Sequence, residues 1–107
     1  MKFHSKRRGR LDFPAINRAG LASLPALLRR WLPDGRLLGH EYSGRNPTRE
    51  DRRAGSFRIN VNSGRWSDFA TGDAGGDVVS LAAYLSGTGQ GEAARALAKM
   101  LRVRDHD

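Results

Sequence analysis

The sequence predicts a small α+β domain, an antiparallel β-ribbon of about three strands packed against three or more helices. Three observations carry this. Leucines recur at helical spacing between Leu21 and Leu32. Two alternating runs, "SFRINV" and "RWSDF", flank a short turn. Two apolar-periodic runs follow, "VVSLAAYL" and "GEAARALAKML". With 107 residues there is room for one hydrophobic core and not for two.

The elements follow in order. Residues 1–12 are basic and aperiodic and read as a flexible arm, residues 13–104 as a single domain and 105–107 as a tail. A short helix from Pro14 to Ala19 precedes the main helix. The main helix starts near Leu24, because Pro25 is tolerated only in a first turn, and Ser23 is its candidate cap. Pro33-Asp34-Gly35 ends it. "RLLGHEYSG", 36–44, reads as one strand, and 45–55 as a solvated loop with Ala54 its only apolar residue.

The hairpin is expected to turn on Asn62-Ser63-Gly64, with Gly64 left-handed. That register pairs Val61 with Arg65, Ile59 with Ser67 and Phe57 with Phe69 on the core face. The other face then carries Arg58 opposite Asp68 and Asn60 opposite Trp66. A two-residue loop would instead place Trp66 in the core beside Val61. The expected core is Phe57, Ile59, Phe69, Val78, Leu81, Leu85 and Leu97, together with the Leu24–Leu32 helix.

Between hairpin and helix lies the elbow "TGDAGGD". It lacks the Gly-Lys-Ser/Thr of a Walker A loop and the spacing of a dinucleotide fingerprint. Asp73 and Asp77 would repel a phosphate at the helix mouth. The elbow therefore reads as structural, with Asp77 capping the helix and Gly72, Gly75 and Gly76 supplying unusual backbone angles. Asp68, Asp73 and Asp77 could gather a magnesium ion, but their spacing fixes no octahedral geometry. His40 is the only histidine away from the ends, and one histidine makes no zinc site. No catalytic set is recognisable, and no cofactor is expected.

Composition points to a partner. Up to Arg53 the chain carries thirteen Lys or Arg against five Asp or Glu, which accounts for the whole formal net charge of +8; the remainder carries six of each. A basic half joined to a neutral one suits a polyanion. Arg45, Arg49, Arg52 and Arg53 of the loop lie beside a hairpin bearing Arg58, Arg65 and Trp66. Arginines that track phosphates, with an aromatic for stacking, meet the requirement for holding single-stranded DNA, or RNA. The competing reading is a protein-interaction adaptor whose helices offer an apolar groove. There is no cysteine, so disulfides and cysteine-ligated zinc are excluded. The basic start is followed by no apolar stretch of a secretory signal, and no run approaches membrane-spanning length. A cytoplasmic protein without membrane contact is expected.

"NPTREDRRAGSFRINV", "GRWSDFATGDAGGDVVSLAAYL" and "GEAARALAKML" match, in order, blocks of a known family. Over Arg36 to Leu101 the chain resembles the N-terminal zinc-ribbon domain of bacterial DnaG-type primases, and more closely the versions in phage and plasmid primase–helicase proteins. The family's cysteines lie around Tyr42 to Pro47 and Asp68 to Gly72, where this chain has none, so the resemblance is to a zinc-free variant. It implies a non-catalytic template-binding module of a DNA replication protein of phage or mobile-element type. It also implies partnership with a replication helicase or polymerase module. It carries over no catalytic residue.

Overall fold

The computed structural model describes residues 11–49 and 55–103. Most of the expected basic arm, the tail, and Arg52 and Arg53 lie outside the described residues. Among the described residues, four helices and a five-stranded antiparallel sheet make an α+β fold around one core.

Helix α1, Phe13–Ala22, is longer than the short helix expected from Pro14 to Ala19. Asp12 starts it by accepting a hydrogen bond from Ala15 N at 3.1 Å, and Pro14 sits in the first turn, where its missing N–H costs nothing. Leu11 packs against the core, so Leu11 and Asp12 belong to the domain and not to an arm. Ile16 and Gly20, one turn apart, form the buried stripe of α1. Gly20 permits close helix packing, since a Cβ there would lie 2.9 Å from Val78 Cγ1. Helix α2, Leu24–Trp31, buries Leu24, Leu27 and Leu28 and ends before the Pro33-Asp34-Gly35 turn, as the sequence predicts. Ser23 occupies the cap position without a side-chain hydrogen bond.

The segment read as one strand is a hairpin. Strands β1, Arg36–Leu38, and β2, Glu41–Gly44, are joined by a Gly39-His40 turn in which Gly39 has φ 64°. Strands β3, Phe57–Asn60, β4, Trp66–Asp68, and β5, Ala74–Gly75, continue the sheet in chain order. Five strands thus replace the expected three, because a tight glycine turn folds 36–44 back on itself and the elbow adds a short edge.

The β3–β4 register differs from the expected one by a single residue. Ile59 pairs with Trp66, Arg58 with Ser67 and Phe57 with Asp68. The loop is four residues long, Val61 to Gly64, closed by Asn60 N to Arg65 O and Gly64 N to Asn60 O, both at 2.8 Å. Asn60 sets it: its Oδ1 accepts from Asn62 N at 2.8 Å and Ser63 N at 3.0 Å, an Asx turn that adds a residue to the loop. Gly64 is left-handed as expected, at φ 83°. Side chains alternate along a strand, so the slip inverts the faces of β4. Trp66 and Asp68 turn inward; Arg65, Ser67 and Phe69 turn outward. Trp66 is 6% exposed and Phe69 69% exposed, which reverses their expected places.

Helices α3, Val78–Ser86, and α4, Gln90–Leu101, pack on each other and on α1. Asp77 caps α3 with a complete capping box: its Oδ1 accepts from Ser80 N at 2.8 Å, and Ser80 Oγ accepts from Asp77 N. Gly87 ends α3 in the left-handed conformation. Phe57, Ile59 and Trp66 on the inner sheet face meet Leu24, Leu28, Val78, Leu81 and Leu97 in the core. Tyr84 of α3 joins them, its ring centroid 4.5 Å from that of Trp66 and 6.1 Å from that of Phe57. Leu85, expected in the core, is only partly buried.

Candidate nucleic-acid interface

The inner face of the sheet is covered by helices, and no other described residue covers the opposite face. Register maps the open face as rows across the strands. One row runs Leu38, Glu41, Asn60, Arg65. The next runs Arg36, Ser43, Arg58, Ser67, Ala74. Phe69, opposite Ser56, begins a third. Antiparallel sheets commonly keep one such polar face, and here Leu38 and Phe69 stand exposed at its margins.

Arg58 is held at the centre of this face by three contacts. Its Nε donates to Gly55 O at 2.8 Å, its guanidinium lies 5.2 Å from the centroid of the Phe69 ring, and one terminal nitrogen is 3.6 Å from Glu41 Oε1. A guanidinium held in this way has less rotamer entropy to lose on meeting a planar or anionic group. Beside it opens a shallow cavity of about 560 Å³, lined by Glu41, Arg58, Asn60, Arg65 and Ser67, with Ala74, Gly75 and Gly76 along the elbow side. The edge of Trp66 also reaches this cavity, but its indole N–H is committed to Ser80 Oγ at 3.0 Å.

The predicted interface residues therefore separate. Arg58 and Arg65 share the open face. Trp66 belongs to the core and does not offer a free ring for stacking. Arg45 is exposed just past β2, in a small hollow with Trp31, Asp34 and Pro47. Arg49 is drawn to Asp68, its Nε 3.6 Å from Oδ2, and Arg52 and Arg53 lie outside the described residues. Phe69 is the residue that sequence reasoning missed. The signal for it was Asn60, whose Asx turn sets the loop length.

Asp68 anchors a buried polar network on the inner side of the sheet. Both Asp68 and Asn46 are shielded from solvent. Asn46 Nδ2 donates to Asp68 Oδ2 and to the Tyr84 hydroxyl, each at 2.8 Å, and Asn46 Oδ1 accepts from Thr48 N and Thr48 Oγ1. The Tyr84 hydroxyl in turn donates to Asp73 Oδ2 at 2.8 Å. Burial pushes the Asp68 carboxyl up, but hydrogen bonds from Asn46, the Ala70 amide and Ser56, with the charge of Arg49, outweigh it and leave the group below the usual carboxylate range.

Asp68, at the end of β4, and the two elbow aspartates, Asp73 and Asp77, serve different partners. Asp68 binds Asn46, Asp73 binds Tyr84, and Asp77 caps α3 while accepting from Asn17 Nδ2 at 3.3 Å. No group of three His, Asp or Glu able to hold a metal occurs among the described residues. Of the three elbow glycines only Gly72 is left-handed, at φ 83°. Gly75 is required for space instead: a Cβ there would clash with Trp66 Nε1 and lie 2.5 Å from Ser80 Oγ. Gly76 needs neither, having open space and an ordinary φ.

A second concavity, of about 370 Å³, lies between α3 and α4 and is lined mainly by Trp31, Pro47, Leu85, Leu97 and Met100. Among the described residues no helix is long and apolar enough to cross a membrane. No family model matches the chain, and neither a curated protein nor a solved structure matches it.

Proposed function

We propose that this domain binds single-stranded DNA on the open face of its sheet, as a non-catalytic template-binding module of a replication protein of the primase type. The observation that carries the reading is the Arg58–Phe69 pair, an exposed aromatic ring against a hydrogen-bonded guanidinium, with Arg65 on the same face. Single-strand binding needs a π-surface for bases beside cations for phosphates, and this face supplies both. The net charge of +8 adds a field that raises the encounter rate with a polyanion. The block order of the sequence, which resembles primase N-terminal domains, supports the same assignment and a helicase or polymerase module as partner.

The deciding experiment is a titration of a fluorescent single-stranded oligonucleotide at two salt concentrations, with wild type, Phe69→Ala and the Arg58→Ala/Arg65→Ala double variant. Binding that weakens steeply with salt and drops in both variants supports the proposal. Absence of binding at low salt overturns it. The apolar concavity between α3 and α4 then favours the second reading, a protein-interaction adaptor.

A further inference from the structure

One group on the open face works against phosphate binding. Among the described residues, Glu41 is the single carboxylate lining the cavity that Arg58, Arg65, Asn60 and Ser67 otherwise form. It stands in the central rows, paired with Leu38 on one side and Asn60 on the other. Its side chain is 49% exposed, and its 3.6 Å approach to Arg58 is longer than a hydrogen bond. Both carboxylate oxygens thus retain acceptor capacity towards the cavity. Asn60 spends its Oδ1 on the Asn62 and Ser63 amides, which leaves its NH₂ as a donor. The cavity therefore offers one pair of acceptors flanked by donors from Asn60, Arg58 and Arg65.

We infer that this face reads guanine, with Glu41 as the base-selecting residue; the inference rests on the single-strand binding reading above. Guanine alone among the four DNA bases presents two adjacent donors, N1–H and the N2 amine, which a carboxylate accepts side by side. Its O6 and N7 acceptors then suit the neighbouring arginine or amide donors. Cytosine and adenine each set a single exocyclic amine beside a ring acceptor, which a carboxylate repels. Thymine sets one N–H between two carbonyls. Stacking against the Arg58 guanidinium, which lines the cavity, holds the ring without choosing among bases, so choice falls to Glu41.

The test uses short fluorescein-labelled oligothymidylate strands whose central position is dT, dA, dC, dG or deoxyinosine, read by anisotropy at low salt. The dG strand is expected to bind about tenfold more tightly than the dT strand, the scale of one bidentate base contact. Deoxyinosine, which lacks the N2 amine, should fall between them. Glu41→Gln should abolish the dG advantage while tightening binding of the all-dT strand, because a negative charge leaves the phosphate surface. Equal wild-type affinity for all five strands, or a dG advantage that survives Glu41→Gln, overturns guanine selection and leaves strand binding standing. If no strand binds, the strand-binding reading itself fails, and guanine selection with it.

Discussion

Asn46 and Asp68, from the segment after β2 and the end of β4, meet through a 2.8 Å hydrogen bond in the interior, both shielded from solvent. The bond ties the start of the arginine-bearing 45–55 segment to the sheet. Each partner left alone would be a buried polar group without its main satisfaction. Asn46→Ala is therefore expected to destabilise the domain by about 1–3 kcal/mol in chemical denaturation.

The same pair sets an acid dependence. Asp68 is held below its ordinary value in the folded protein, so its contribution is complete above the unfolded carboxylate value of about 3.9 and disappears as pH falls through the folded value. Wild type and Asp68→Asn should differ most in stability near neutral pH and converge in strong acid. Melting curves across pH 2–7 (about the range over which carboxylates titrate) check this. A constant gap would show that the charge of Asp68 plays no part.

Trp66 and Phe69 should respond in opposite ways. Trp66 fills the core against Phe57 and Tyr84, so Trp66→Ala should cost about 3–5 kcal/mol of stability. Phe69 is exposed and touches Arg58, so Phe69→Ala should alter stability by less than about 1 kcal/mol. Its effect belongs to binding, a loss of about 1–3 kcal/mol towards single-stranded DNA with the salt dependence nearly unchanged.

Arg58 and Arg65 should act through charge. Each phosphate contact contributes about −0.7 to the slope of log affinity against log salt for a single strand, so removing both should flatten that slope by about 0.7 if one of them is spent on a base and by about 1.4 if neither is. A uniform loss of affinity at unchanged slope would place the phosphate contacts elsewhere.

The elbow glycines separate space from backbone angle. Gly75→Ala drives a methyl group into Trp66 and Ser80 and should cost about 1–3 kcal/mol. Gly76→Ala meets nothing and should stay within about 0.5 kcal/mol of wild type. Equal losses at the two positions in urea titrations would contradict the packing described.

No metal is expected to hold the corner. The chain lacks cysteine, and hydrogen bonds of Asn46, Asp68, Tyr84 and Asp73 join the segments that meet there. Excess chelator should leave the melting temperature unchanged.

The sequence by itself determined the features that a few neighbouring residues decide. Pro25 and the Pro33-Asp34-Gly35 turn bound α2, Asp77 begins α3, and alternation places Phe57 and Ile59 inward. Each follows from a cap, a missing N–H or a side-chain period that acts within one turn of chain. Tertiary structure alone decided between Trp66 and Phe69. They stand three positions apart on one strand path, so alternation requires one to be inside and the other outside without saying which. That choice went to the larger indole, whose N–H finds Ser80 of α3 and whose ring packs on Tyr84, contacts between segments distant in sequence. The split of 36–44 into two strands and the pairing of Asn46 with Asp68 were decided in the same way, by partners that become neighbours only when the sheet closes on its helices. Arg58 was legible in the sequence as a cation. Its ring and its carboxylate, Phe69 and Glu41, came with the register.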